Sequence, residues 1–206
     1  QADRPAFVAG SIAPLEDCYS PELVPPDGEL RAEHAEMAQH LAEAGVDVML
    51  VETMNSIREA RMAAAAARLT GLPVIVSFVL KGATGLGPAP RGKARLLSGE
   101  PLIDAVRAVE ALEPDAIMIN CVPVAAIENG LRELRAATGR PIGAYGNVGH
   151  VDDRVGWTLT HAVTPEQYAT AARSWREQGA TIIGGCCGTT PEHIAALAAA
   201  LQPEGL

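Results

Sequence analysis

Residues 46–71, VDVMLVETMNSIREARMAAAAARLTG, contain one complete strand–turn–helix unit. Asp47–Glu52 is a short apolar run without clean alternation, the pattern of a strand buried on both faces of a parallel sheet. Ser56-Ile57-Arg58-Glu59 has the form of a capping box, in which the Ser and Glu side chains satisfy each other's backbone donors. It opens a helix over Ile57–Leu69, and Gly71 stops that helix before the next apolar run.

The same unit recurs in both directions. Apolar runs at Ala6–Ile12, Val74–Leu80, Ala116–Asn120, Ile142–Tyr145 and Thr181–Gly184 are predicted strands. Helices are expected over Glu29–Ala44, Leu102–Leu112, Ala125–Ala137, Pro165–Gln178 and Pro191–Leu201. Thr164-Pro165-Glu166-Gln167 is a second capping box with Pro at the first helical position, and Thr190-Pro191-Glu192 repeats its start. Gly45, Gly139 and Gly179 are expected stops like Gly71. Six β/α units in succession imply an α/β fold on a parallel sheet, either open and doubly wound or of the (β/α)8 TIM-barrel type. No nucleotide-binding fingerprint is present, which favours the barrel.

A complete barrel needs eight units and commonly about 250 residues. The 206 residues therefore read as one domain, 1–206, with about six units. Its outer strands, Ala6–Ile12 and Thr181–Gly184, would be unpaired edges. They are expected to be covered by a partner chain, a second copy in a homo-oligomer, or a further N-terminal segment.

Composition narrows the function. Apolar residues make up 48% and charged residues 20%, as in an ordinary globular protein, while aromatics reach only 3%. A core of Ala, Val, Leu and Ile follows. Sixteen Lys and Arg against 25 Asp and Glu give a net charge of −9, and no basic stripe offsets it, so nucleic acid is not an expected partner. No apolar run approaches the roughly 18 residues of a membrane helix. Residues 1–5 do not have the form of a secretory signal. Four cysteines, two of them adjacent, make a poor disulfide framework, and thiols available for metal in a reducing cytoplasm fit better.

In parallel β/α proteins functional groups collect where strands end. Cys121 ends one predicted strand, and Cys186-Cys187 ends another between glycines. Three converging thiolates repel one another unless a cation lies between them. Zinc is soft enough for sulfur, and three protein ligands leave its fourth position open, as in catalytic sites. Cys18, in the Pro14–Gly28 loop, is expected to be a free thiol away from the other three. His193 is expected to pack at a helix start. Trp157 is expected to line or cover the site, and Lys81–Arg95 to be an ordinary βα loop.

The stretch Gly184-Gly185-Cys186-Cys187-Gly188-Thr189-Thr190-Pro191-Glu192-His193-Ile194 resembles, almost letter for letter, the last-strand signature of the homocysteine S-methyltransferases. Asn120-Cys121 is similar to that family's sixth strand end, Glu52-Thr53 to its fourth and Gly10-Ser11 to its third. Tyr145 and Asn147 resemble its Tyr-Pro-Asn, with Gly146 replacing the Pro. The resemblance runs from about Phe7 to about Ile194 and implies units three to eight of the barrel. It implies a Zn2+ site of Cys121, Cys186 and Cys187, and a homocysteine amino group held by Glu52. Thr53, Ser11 and Asn147 are the other implied substrate-binding residues, Asn147 bonding either substrate or its own loop. The implied activity is methyl transfer to homocysteine, giving methionine; among S-methylmethionine, S-adenosylmethionine, betaine and a folate or cobalamin carrier, the two sulfonium donors are favoured for so short a chain. Competing readings are a phosphate-binding barrel using Gly146–Gly149 and Gly184–Gly188, and a zinc-binding but inactive partial barrel or subunit.

Overall fold

The computed structural model describes residues 5–82, 92–152, 156–158 and 163–202. In chain order the elements are β1 (Ala9–Ile12), α1 (Asp27–Glu43), β2 (Val48–Met54), α2 (Ile57–Leu69), β3 (Val74–Phe78), α3 (Leu102–Glu110) and β4 (Ala116–Pro123). There follow α4 (Val124–Ala137), β5 (Ile142–Asn147), β6 (His150–Asp152), β7 (Gly156–Thr158), α5 (Pro165–Glu177), β8 (Ala180–Gly185) and α6 (Pro191–Leu201). Every predicted strand and helix is present. The antiparallel β6–β7 hairpin was not expected. Trp157's side chain and residues 83–91 of the Lys81–Arg95 loop lie outside what is described. Among the described residues, no helix is long and apolar enough to cross a membrane.

Six strands form one parallel sheet in the order β1-β2-β3-β4-β5-β8. The order never reverses, and consecutive helices pack side by side from α1 to α6. A doubly wound sheet would reverse its order and carry helices on both faces. This sheet is the wall of a (β/α)8-type barrel, six units long. On its outer face Met49, Val51, Val76, Ile117 and Ile119 are fully buried against the helices. Helix α2 presents Ala60, Ala63, Ala64 and Ala67 there, so a core poor in aromatics closes through short side chains and near approach of backbones. On the inner face Leu50, Ile75, Met118 and Ile182 line an open cavity of about 400 Å3, with Glu52 and Tyr145 also in its lining.

The predicted first strand is cut short. Pairing to β2 starts at Ala9, and Phe7 and Val8 are 76% and 61% exposed, because β1 has a neighbour on one side only among the described strands. At the other extreme β4 runs on to Pro123, past an irregularity between Asn120 and Pro123.

The capping box at Ser56 is corrected. Ser56 Oγ accepts the Glu59 N–H at 3.4 Å, but the Glu59 carboxylate turns inward and is fully buried. Its Oε1 accepts the Leu15 N–H at 2.8 Å and lies 3.2 Å from His34 Nε2. Leu15 needs an acceptor under the β1–α1 loop, and the Glu100 carboxylate accepts a different helix-start donor, the Ile57 N–H, at 2.9 Å. The box at Thr164 forms as expected. At the next helix start His193 Nδ1 accepts the Thr190 N–H at 3.2 Å while Nε2 contacts the Val163 carbonyl at 3.1 Å, so the ring packs where predicted. Gly45, Gly71 and Gly179 end their helices with positive φ, but Gly139 does not, since Thr138 already leaves α4 extended.

Gly143 of β5 faces Ile182 of β8, and a Cβ there would sit 2.3 Å from the Ile182 carbonyl oxygen and 2.7 Å from Met118 Cε. Gly143→Ala should therefore push β8 off β5. A loss of about 2–3 kcal/mol is expected, at the upper end for overpacking, and urea unfolding of the two proteins measures it.

Candidate functional site

Cys121, Cys186 and Cys187 meet at one end of the sheet. Their sulfurs are 3.5 Å (Cys186–Cys121), 3.7 Å (Cys121–Cys187) and 4.0 Å (Cys186–Cys187) apart. All four cysteines are free. A tetrahedral ion with metal–sulfur bonds of about 2.3 Å spaces its ligand atoms about 3.8 Å apart, so the trio fits such an ion with little movement. Among the described residues these three are the one group of potential ligands so gathered. Cys121 takes hydrogen bonds from both other thiols, which draws its pKa well down against the effect of burial. The same contacts keep Cys186 and Cys187 protonated, Cys186 the more strongly.

The backbone that aims these sulfurs is unusual. Cys121 has φ 56° and Thr53 has φ 59°, left-handed values that cost a residue with a Cβ about 1–3 kcal/mol each. Each lies where its strand slips register with the next, in β4 and β2. One side chain couples the two irregularities. Asn120 Oδ1 accepts the Thr53 N–H at 3.0 Å and the Ser77 hydroxyl at 2.7 Å, while its Nδ2 donates to Thr53 Oγ1 at 2.8 Å. All of these atoms are buried.

Cys186 and Cys187 are set by β5 and α5. Cys186 N–H donates to the Gly146 carbonyl at 3.0 Å, and Val148 N–H to the Cys187 carbonyl at 2.8 Å. Below them the buried Tyr168 hydroxyl accepts the Gly146 N–H at 2.9 Å and donates to the Gly184 carbonyl at 2.8 Å. Thr189 Oγ1 closes the turn by donating to the Cys186 carbonyl at 2.7 Å. The backbone donors of Gly146 and Val148 in one candidate phosphate loop, and of Cys186 in the other, are thus spent internally, which counts against the phosphate-binding alternative.

Glu52 points into the barrel. Ser11 donates to its Oε1 at 2.6 Å and Tyr145 to its Oε2 at 2.8 Å. Burial, and then the Glu52 charge, push the Tyr145 phenol up, so it remains a donor. Ser11, Glu52 and Tyr145 are one cluster across β1, β2 and β5. Thr53 turns to Asn120. Asn147 is buried beside Cys121, its amide without a partner among the described residues.

Cys18 corrects its expectation in part. It is a free thiol, but its loop folds back over the strand ends rather than away from them. The Cys18 carbonyl accepts from Asn55 Nδ2 at 3.2 Å, and burial first, then the neighbouring Cys121 charge, push its thiol up to about 12. The next residue, Tyr19, places its hydroxyl 3.3 Å from Cys121 Sγ. Sequence reading missed Tyr19, Ser77 and the Asn120 clamp. Tyr19 left one clue, as one of three tyrosines in the chain and the one that follows a strand end.

A profile of the homocysteine S-methyltransferases matches residues 1–201. The chain belongs to that family. It is 33% identical over 174 residues to homocysteine S-methyltransferase YbgG of Bacillus subtilis (strain 168), covering 84% of this chain and 52% of that protein. It is 30% identical over 169 residues to selenocysteine Se-methyltransferase of Brassica oleracea var. italica, covering 80% and 46%. The metallated form of the homocysteine methyltransferase MmuM from Escherichia coli superposes with a TM-score of 0.75 at 27% identity, over 94% of this chain and 60% of that one. The chain spans about half the length of the curated relatives it matches.

Asn120→Ala should release both left-handed residues together. A loss of about 2–4 kcal/mol is expected from the stranded Thr53 N–H and two hydroxyls. Urea unfolding measures that loss, and faster labelling of Cys121 by a thiol reagent would report the opened site.

Proposed function

We propose that this chain carries the zinc and thiol-binding part of a methyltransferase that moves a methyl group from a sulfonium donor to homocysteine, giving methionine. The observation that carries the reading is the sulfur trio at tetrahedral spacing, with an anchored carboxylate at the same end of the barrel. Sulfur-only donors favour zinc among the common ions. Bound there, zinc would supply the Lewis acidity that removes the proton from a substrate thiol, whose own pKa of about 8.5 leaves it a poor nucleophile near neutrality.

The chain's own residues provide the rest. Cys121, Cys186 and Cys187 would hold the metal and, once it displaced their protons, would contribute three negative charges beside the substrate thiol. Ser11 and Tyr145 each donate to one oxygen of the Glu52 carboxylate, whose remaining lone pairs suit the substrate ammonium. Thr53 is engaged by Asn120 and would act on substrate through the backbone it fixes, while the buried Asn147 amide beside Cys121 is available to substrate in this reading. A homocysteine sulfur lone pair then forms the new C–S bond as the donor's C–S bond breaks, the electron pair leaving on a neutral thioether. S-Methylmethionine and S-adenosylmethionine are the favoured donors, and the similarity to a selenocysteine methyltransferase adds a selenol to the acceptors to be tried. The thiols require a reducing compartment, so a cytoplasmic location is part of the proposal. So is closure of the β1 and β8 edges by a further β/α segment or a second polypeptide.

Metal analysis of fresh, reduced protein should find one equivalent of zinc, abolished by a Cys186→Ser/Cys187→Ser double substitution. Metal-free protein would overturn the reading. Protons compete for the three sulfurs, so zinc affinity measured against a chelator should fall at least about tenfold from pH 8 to pH 6. Methionine formation should be assayed across the donor panel. Glu52→Gln is expected to raise KM for homocysteine at least about tenfold, by loss of a charge-assisted contact, with zinc content unchanged.

A further inference from the structure

A methyltransferase with three cysteinates around its metal has four nucleophilic sulfurs, one from the substrate and three of its own. Each cysteine sulfur could take the methyl group in the same way as the substrate. The sulfur lone pair would form a C–S bond, the donor's C–S bond would break, and its electron pair would leave on the thioether. The product would be an S-methylcysteine with weakened hold on the metal. The protein needs to make its own sulfurs poorer nucleophiles than the substrate's.

The three cysteines are not equivalent here. Among the described residues, Cys121 alone has a hydroxyl against its sulfur, that of Tyr19 at 3.3 Å. A cysteinate can only accept, so with Cys121 ionised the phenol is the donor. Tyr19 is not free to swing away. Its own N–H donates to Asp17 Oδ1 at 3.1 Å, Ser20 Oγ donates to Asp17 Oδ2 at 2.7 Å, and Asn55 holds the Cys18 carbonyl. Leu15, at the start of the same loop, is held by the buried Glu59.

We propose that Tyr19 protects Cys121 from methylation by donating a hydrogen bond to its sulfur, leaving the substrate thiolate the better nucleophile. Donation draws electron density from the lone pair that would attack, a means by which second-layer contacts tune metal ligands. Tyr19 is a positioning residue in this role. The inference rests on the zinc-site reading above.

The test uses the zinc-loaded chain with iodomethane as the methylating probe. Zinc content is measured first, and absence of zinc counts against the site reading rather than against Tyr19. Mass spectrometry then follows the gain of a methyl group on the peptides carrying Cys121, Cys186 and Cys187. Tyr19→Phe, which keeps the ring and deletes the donor, is expected to speed methylation of Cys121 by about fivefold or more, in line with the loss of roughly 1 kcal/mol. Cys186 and Cys187 should change little. Asn55→Ala, which frees the loop from outside the contact, should give the same selective increase and keeps the test open if the first variant does not fold. Zinc-loaded Tyr19→Phe protein as protected as the wild type would overturn the proposal, showing a shield of ring bulk alone. Equal acceleration at all three cysteines would also overturn it, showing only a loosened site.

Discussion

The buried carboxamide of Asn120 is the contact on which both halves of the site depend. It engages a backbone N–H and two hydroxyls from β2 and β3 while it sits next to Cys121 on β4. Thr53 and Cys121 would each relax toward ordinary strand geometry if nothing opposed them. Relaxed, Thr53 would carry Glu52 with it, and Cys121 would leave the sulfur trio. A side chain with one acceptor and one donor group, each used toward Thr53, fixes the two strained residues relative to each other. No hydrophobic residue of similar size could do so, because the Thr53 N–H and the Ser77 hydroxyl would be buried unpaired.

The wall of the barrel sets what those strained residues can reach. Six parallel strands in unbroken order bring every strand end to one rim, so Ser11, Glu52, Asn120, Tyr145 and Cys186 meet although they are spread over most of the chain. The outer face is filled by short side chains from α2 and by aliphatics from the other helices. Glycine at Gly143 and Gly146 lets β5 approach β8 and α5 closely enough for Tyr168 to bridge the two strands. The two cysteines that follow β8 inherit their position from that bridge.

Much of this was legible in the sequence, for a physical reason. Strands buried on both faces, helix starts with Thr-Pro and helix stops with Gly are local patterns, and a β/α fold repeats them. Strand ends in such a fold share one rim, so Cys121, Cys186 and Cys187 could be placed together without knowing any distance. What escaped were contacts between residues far apart whose local pattern suggested something else. Glu59 stands where a capping glutamate belongs, yet the Leu15 N–H and the buried His34 ring draw it inward. Cys18 and Tyr19 lie in a Pro-bounded loop whose path over the rim depends on Asp17 and Asn55. The β6–β7 hairpin has no alternating run long enough to announce it.

The sulfur trio and the Glu52 cluster differ in how much of the wall each draws on. The three sulfurs and the contacts that aim Cys186 and Cys187 belong to β4, β5, β8 and α5, contiguous elements that pack on one another. Glu52 is held by Ser11 of β1 and Tyr145 of β5, on opposite sides of a cavity that is open where β1 has no neighbour among the described strands. Water at that opening competes for the carboxylate and weakens any ammonium it holds, because charge pairing grows as solvent is excluded. The sulfur trio is local and largely enclosed, with Cys121 only 6% exposed. The wall therefore assembles by itself a group of three cysteines that could hold a metal ion. In the proposed reading, an ammonium held by Glu52 would gain strength only as solvent is excluded from that side of the cavity.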